Sequence, residues 1–368
     1  MRIGVVKEIK VAERRVALTP AGARELTATG HEVLVESGAG VGSAIADADY
    51  EAAGARVVDS AARVWAESSL LLKVKEPIAE EYPLLYDGLT LFTYLHLAPN
   101  RPLTDALVSS GVTAIAYETV EDAHGGLPLL APMSEIAGRL AAQAGAYFLQ
   151  APFGGPGVLI GGVPGVAAAR VVVIGGGAVG THAARIAVGM EAEVTILERS
   201  LGRLRALDEQ FGRRARVLMS DVGTVEASLR DADVVIGAVL VPGARTPRLV
   251  TREMLGLMRP SSVIVDVAID QGGCFETSRA TTHARPVYDV DGILHYCVAN
   301  MPGAVPVTST RALTNATLPY VRALANRGPE AALAADPGFA RGLNIRGGEL
   351  VYGPVAEAYA LETALAAS

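Results

Sequence analysis

The chain has 368 residues, half of them hydrophobic, with few aromatics, two cysteines and a formal net charge of −7. That length accommodates two domains with large cores, and the weight of Ala, Val, Leu and Gly favours helices and parallel strands over a β-sandwich. The same figures argue against a nucleic-acid partner, for want of a basic stripe, and against a disulfide framework or zinc centre, because Cys274 and Cys297 match neither spacing.

In chain order, 3–6 reads as a strand that reaches Lys7-Glu8 at once, so the start is not a signal peptide. Thr19 caps a helix with Pro20 in its first turn, running to Gly30. Strand 31–36 follows, then a short helix 47–53 with Asp47 as its N-cap, then strand 56–58. Strand 70–75 is stopped by Glu76-Pro77, strand 89–95 ends at His96, helix 101–110 comes next, and strand 113–117 closes the series. Repeated units of this kind predict a parallel sheet covered on both faces. Ser134 is placed to cap a long helix, and an irregular glycine-rich stretch, 154–165, leads onward. The apolar region 154–180 is broken by prolines, glycines and Arg170, so it cannot be a membrane helix. Later strands are expected at 171–174, 191–197, 233–239, 262–269 and 293–298. A helix around 309–325 belongs to a tail too short to be a domain, which is expected to rejoin the first one.

The stretch 171–198 carries the sharpest signal. Strand 171–174 runs into Gly175-x-Gly177-x-x-Gly180, a helix follows, and Glu198 ends the next strand. Gly175 makes the tight turn, Gly177 lets backbone approach a pyrophosphate, and Gly180 lets helix and strand pack closely. An acid about 20 residues beyond the turn accepts from adenosine ribose hydroxyls. The spacing therefore predicts a dinucleotide site within an α/β architecture of two Rossmann-like doubly wound domains with a cleft between them.

Ligands in such folds lie beyond the carboxyl ends of the strands, so polar residues there are candidates. Lys73 and Lys75 share a face, either as solvated edge lysines or, for Lys75, as a cation on a substrate carboxylate or carbonyl. His96 is either structural or a general acid/base. Asp270, before Gln271-Gly272-Gly273, either caps a turn or meets a ligand, and Asp266 reads as a hydrogen-bonded structural acid. Arg14 and Arg15 are surface arginines unless their planar fork serves a carboxylate. Cys274 and His283 have no metal-ligand spacing, so no metal is expected.

Longer segments carry a resemblance. Arg15-Val16-Ala17-Leu18-Thr19-Pro20, Leu72-Lys73-Val74-Lys75-Glu76-Pro77, Phe92-Thr93-Tyr94-Leu95-His96-Leu97-Ala98, Ala131-Pro132-Met133-Ser134-Glu135 and Asp266-Val267-Ala268-Ile269-Asp270-Gln271-Gly272-Gly273 are similar to those of the bacterial alanine dehydrogenases. These share a fold with the NAD-binding subunit of transhydrogenase, and the resemblance covers almost the whole chain. It implies that Arg15 and Lys75 bind the substrate and that His96 and Asp270 are the acid/base pair. The glycine turn, with Ala178 and Val179, would then hold NAD. Ser134, Glu198, Arg203, Ser220, Val239 and Leu240 would line the cofactor, as would Val267, Ala268, Ile269 and Asp270, and Val298, Ala299, Asn300 and Met301. A discontinuous substrate domain of residues 1–128 plus 306–368 and an NAD domain of 129–305 are implied, as is a homo-oligomer, commonly a hexamer; a cytoplasmic location is expected from the two cysteines, whose spacing suits no disulfide framework and which fit a reducing cytosol. Partners would be L-alanine, pyruvate and ammonium, with no membrane. Glu198 stands where many relatives have aspartate, and either acid should repel a 2′-phosphate, which favours NAD. Val6, the 10–13 loop, Pro156 and Val307 depart from the usual pattern, and Ala323 and Arg327 match no reported metal ligands. Those departures leave a dehydrogenase of another small 2-amino acid, or a non-catalytic transhydrogenase-like NAD-binding component, as alternatives.

Overall fold

A computed structural model describes residues 1–239 and 246–359. The chain divides into two compact units, one of Met1–Met133 with Val305–Ser368 and one of Ser134–Ala304. The first holds β1 (Arg2–Val5), β2 (Glu32–Glu36), β3 (Arg56–Val58), β4 (Leu70–Leu72), β5 (Thr90–Thr93) and β6 (Thr113–Ala116). The second holds β7 (Arg170–Ile174), β8 (Glu193–Glu198), β9 (Ala215–Met219), β10 (Val234–Gly237), β11 (Val263–Asp266), β12 (Val287–Val290) and β13 (Ile293–Tyr296). The returning tail adds β14 (Leu343–Arg346) and β15 (Glu349–Leu350) to the first sheet.

Both sheets have the doubly wound order. The first runs β15-β14-β6-β5-β4-β1-β2-β3, and the second β12-β13-β11-β10-β7-β8-β9. Within each, the six main strands are parallel, and antiparallel pairing is confined to β12, β14 and β15 at the edges. The chain order reverses between β1 and β4 in one sheet and between β7 and β10 in the other. These switch points open a crevice beyond the strands' carboxyl ends.

A parallel sheet buried on both faces needs apolar residues at every position, and the second unit supplies them. Val171, Val173, Ile196, Ile236 and Val265 pack on one face, and Val172, Ile174, Leu197, Val235 and Ile264 on the other. Several strands are shorter than their apolar runs because side-chain carboxylates take over their N–H groups. β4 stops at Leu72, since Glu8 Oε1 accepts from Val74 N (2.6 Å) and Lys75 N (3.3 Å). β11 stops at Asp266, whose carboxylate accepts from Ala268 N (3.0 Å) and Cys274 N (2.9 Å) and turns the chain into a 3₁₀ segment, Val267–Gln271. Two expected caps also differ. The second helix is capped at Ala46, because Asp47 instead accepts from Ser37 Oγ (2.7 Å) and Gly38 N (2.9 Å). The long helix starts at Ala131, which places Ser134 inside its first turn.

The glycine turn has the shape its spacing predicts. Gly175 has φ +104°. A Cβ on Gly180 would lie 1.8 Å from the Gly175 carbonyl oxygen, whereas one on Gly177 would meet nothing within 4 Å. Gly180→Ala should therefore lower stability by about 1–3 kcal/mol through overpacking, and Gly177→Ala should leave the unliganded protein's melting temperature unchanged. Thermal denaturation of both variants checks the contrast; equal losses would contradict it.

Candidate functional site

In the first unit the switch point gathers charge from four loops. Arg15 is buried, 2% exposed, and is not the surface arginine that its neighbours in sequence suggest. Its Nε donates to Glu13 Oε1 (2.7 Å), one terminal nitrogen to Glu13 Oε2 (2.5 Å) and the other to Met133 Sδ (3.0 Å). Glu13 thereby fixes the plane of the guanidinium. Lys7, Glu8, Glu13, Arg14, Arg15, Gly38, Val41 and Gly42 line an open cavity of about 450 Å³ there.

Lys73 is fully buried, not a solvated edge lysine, and bridges Glu8 Oε2 (3.1 Å) and Glu81 Oε1 (2.7 Å). Burial pushes the Glu8 carboxyl above its ordinary range, against the pull of Lys73 and the Val74 N–H. Through Glu8 the same cluster holds the backbone of Lys75, which is itself buried.

His96 lies three residues beyond β5 with φ +48°, a left-handed conformation costly for any residue but glycine. Glu118 holds it there, accepting from His96 N (2.6 Å) and Leu95 N (3.0 Å). The ring stacks on Tyr94, with centroids 5.8 Å apart, and its Nδ1 lies 3.1 Å from Glu76 Oε2. Burial alone would push the Glu76 carboxyl up. The His96 hydrogen bond and charge, with Lys75 and Lys10, hold it well below the usual carboxylate range. Arg15, Lys75 and His96 thus all sit at carboxyl ends of one sheet. Sequence reasoning missed Glu8, Glu13, Glu76 and Glu118; the strand-end rule that flagged His96 applied equally to Glu118, just past β6.

In the second unit, Gly175, Gly177, Ala178, Val179 and Gly180 form the turn and the start of the helix Ala178–Gly189. Glu198 closes β8, its Oε2 accepting from Gly176 N (2.8 Å) and its Oε1 from Arg199 N and Ser200 N. Arg203 donates to Gly176 O (2.6 Å) and Thr181 Oγ1 (3.1 Å). Ser220 follows β9 and donates its N–H to Glu198 O, and Val239 follows β10 beside Gly175. Leu240 lies outside the described residues. Val267, Ala268, Ile269 and Asp270 occupy the 3₁₀ turn after β11, with Asp270 exposed. Val298 and Ala299 are partnered by Thr281, Asn300 has φ +60°, and Met301 opens the next 3₁₀ turn. Asp266 is the hydrogen-bonded structural acid expected, 0% exposed.

These features fit a dinucleotide. The helix N-terminus is open at Gly177, where an added Cβ would meet nothing, so backbone N–H groups can approach a phosphate. Glu198 stands at the carboxyl end of β8, beside the turn. A larger cavity, about 880 Å³, runs along β7, β8 and β9, lined from Arg170 and Glu193 at their amino-terminal ends to Asp221 and Thr224 past the end of β9. Among the described residues no cluster of His, Cys, Asp and Glu could hold a metal ion, and no helix is long and apolar enough to cross a membrane.

Comparison with known proteins agrees along the whole length. The family models "Alanine dehydrogenase/PNT, N-terminal domain" and "Alanine dehydrogenase/PNT, C-terminal domain" match residues 4–137 and 141–353. The alanine dehydrogenase of Halomonas elongata is 59% identical over 368 residues, covering 100% of this chain and 99% of that protein. A solved L-alanine dehydrogenase superposes with a TM-score of 0.94 at 52% identity, over 98% of this chain and 99% of that one. A transhydrogenase from Sinorhizobium meliloti gives 0.82 at 26% identity, over 95% of this chain and 100% of that one.

The buried Lys73 cluster yields a test. Lys73→Met leaves two buried carboxylates without their cation and should cost about 3–5 kcal/mol. Without the pull of Lys73 the buried Glu8 carboxyl would bind a proton more readily folded than unfolded, so the deficit should shrink as pH falls from 8 toward 5. Urea denaturation across that range measures it; a small, pH-independent loss would contradict the pairing.

Proposed function

The chain belongs to the alanine dehydrogenase/PNT family, and we propose that it catalyses the reversible, NAD-dependent oxidative deamination of L-alanine to pyruvate and ammonium. The observation that carries this reading is the 59% identity, over all 368 residues, with a protein named alanine dehydrogenase. NAD, held at the glycine turn, supplies the hydride acceptor. The chain's own residues do the rest.

In this reading Arg15 and Lys75 bind the substrate carboxylate and keto oxygen, Arg15 in a plane set by Glu13 and Lys75 on a backbone tethered to Glu8. Loss of hydride from Cα leaves an imine; water must add and ammonia must leave, and each step moves protons near neutral pH. His96 and Asp270 are the acid/base groups. His96 suits the task because Glu76 takes its Nδ1 side, which leaves Nε2 as the nitrogen that exchanges protons. Ser134, Glu198, Arg203, Ser220, Val239 and Leu240 line the cofactor, with 267–270 and 298–301. The same reading makes the protein a cytoplasmic homo-oligomer, a hexamer as is common in the family. Its two cysteines, both free and buried, suit a reducing compartment.

Purified protein with NAD should form NADH fastest with L-alanine in a panel of small amino acids followed at 340 nm. Serine or 2-aminobutyrate turning over as fast would refute the alanine assignment. His96→Ala should abolish turnover while NADH still binds by fluorescence titration, and Gly177→Ala should weaken that binding. Full activity in His96→Ala would remove the acid/base role.

A further inference from the structure

We propose that Glu76 is a positioning residue for His96, fixing which ring nitrogen carries the proton, and that Lys10 sets how strongly the two are coupled. The proposal deepens the reading above and rests on His96 being an acid/base group.

The geometry is a relay of two contacts on one carboxylate. Glu76 Oε2 faces His96 Nδ1 at 3.1 Å, and Glu76 Oε1 pairs with Lys10 Nζ. The Glu76 side chain is 9% exposed, against 40% for Lys10 and 37% for His96. A carboxylate beside Nδ1 keeps the proton there, fixes the tautomer and leaves Nε2 as the basic nitrogen. A carboxylate in that place also stabilises an imidazolium over the neutral ring. Lys10 opposes that. Its ammonium holds the second oxygen, shares the negative charge and is itself repelled by an imidazolium. In a largely buried carboxylate such competition is only weakly screened.

The other groups facing this chain are Lys75, adjacent to Glu76 in sequence and drawing on its charge, and Tyr82, which feels the Glu76 charge. Tyr94 stacks on the ring, and Glu118 holds the His96 main-chain N–H. Lys10, 40% exposed, can be changed without opening the core.

The test is the pH dependence of kcat/KM for L-alanine deamination by the full-length protein. In that direction His96 must be neutral to accept a proton, so the rate falls as pH drops through its titration. Glu76→Gln keeps an oxygen acceptor for Nδ1 but removes the charge, and should move the acid limb to lower pH by about one unit. Lys10→Met releases the carboxylate to His96 and should move it upward, by roughly half a unit. KM for NAD should stay the same in both. Glu76→Ala should lose kcat at least tenfold, with Glu76→Asp recovering part of it. The rate of His96 carbethoxylation against pH, followed by peptide mass spectrometry, should shift in the same directions without reference to turnover.

Acid limbs and carbethoxylation profiles that coincide with wild type in both variants, while His96→Ala is inactive, overturn the proposal and leave the acid/base reading standing. Normal turnover in His96→Ala overturns both. Should Glu76→Gln fail to fold, Lys10→Met decides alone, an unshifted profile counting against the proposal.

Discussion

Where a buried strand ends, its next N–H groups lose their ladder partners and must find acceptors. In this protein carboxylates meet that constraint in both units, at the ends where ligands are bound in such folds. Glu8 takes the N–H groups of Val74 and Lys75, and Glu118 those of Leu95 and His96. Glu198 takes those of Gly176, Arg199 and Ser200, and Asp266 those of Ala268 and Cys274. Each strap ends a strand at a fixed residue and aims the next side chain. The positions of Lys75 and His96 follow from it directly.

A strap of this kind brings charge into the protein, and buried charge demands a partner. In the second unit the backbone itself answers much of that demand, because Asp266 and Glu198 are ringed by N–H donors. In the first unit it does not. Lys73 sits between Glu8 and Glu81, Arg15 against Glu13, and Glu76 between Lys10 and His96. The difference suits the two tasks. A unit that presents open backbone at Gly177 needs little fixed cationic charge, whereas the carboxylate recognition proposed for the first unit would need cations held in place.

The fold was legible because it repeats a local pattern. Apolar runs such as 171–174 and 233–239, each closed by glycine, fix strand type and direction, and Gly175-x-Gly177-x-x-Gly180 marks the nucleotide end. Lys75, His96 and Asp270 could be nominated by lying at the ends of apolar runs, whereas Arg15, in the loop after the first strand, is singled out by the resemblance. Their partners could not. Glu76 and His96 are 20 residues apart, Glu8 and Lys73 are 65 apart, and periodicity within a strand says nothing of which loops meet across a sheet. Strand ends were misjudged for the same reason. The run 70–75 looks like one strand, yet the acceptor that cuts it at Leu72 comes from the loop after β1. Lys73 was ambiguous because an alternating lysine pair at an edge has the same sequence pattern whether it is solvated or buried.

The Glu8–Lys73–Glu81 cluster shows why such a costly arrangement persists. Apolar residues of matching volume commonly replace a buried ionic triad with no loss of stability, so holding the fold together is a weak reason to keep this one. Glu8, however, has a second duty that no apolar residue can perform, since its Oε1 accepts the N–H groups of Val74 and Lys75. A methionine or leucine there would orphan both, at about 1–3 kcal/mol each, and would free the backbone that aims Lys75. With Glu8 kept for that task, Lys73 offsets its buried charge, and Glu81 steadies Lys73 from the other side at 2.7 Å. The ionic core of the first unit is thus a consequence of fixing one lysine backbone at a strand end.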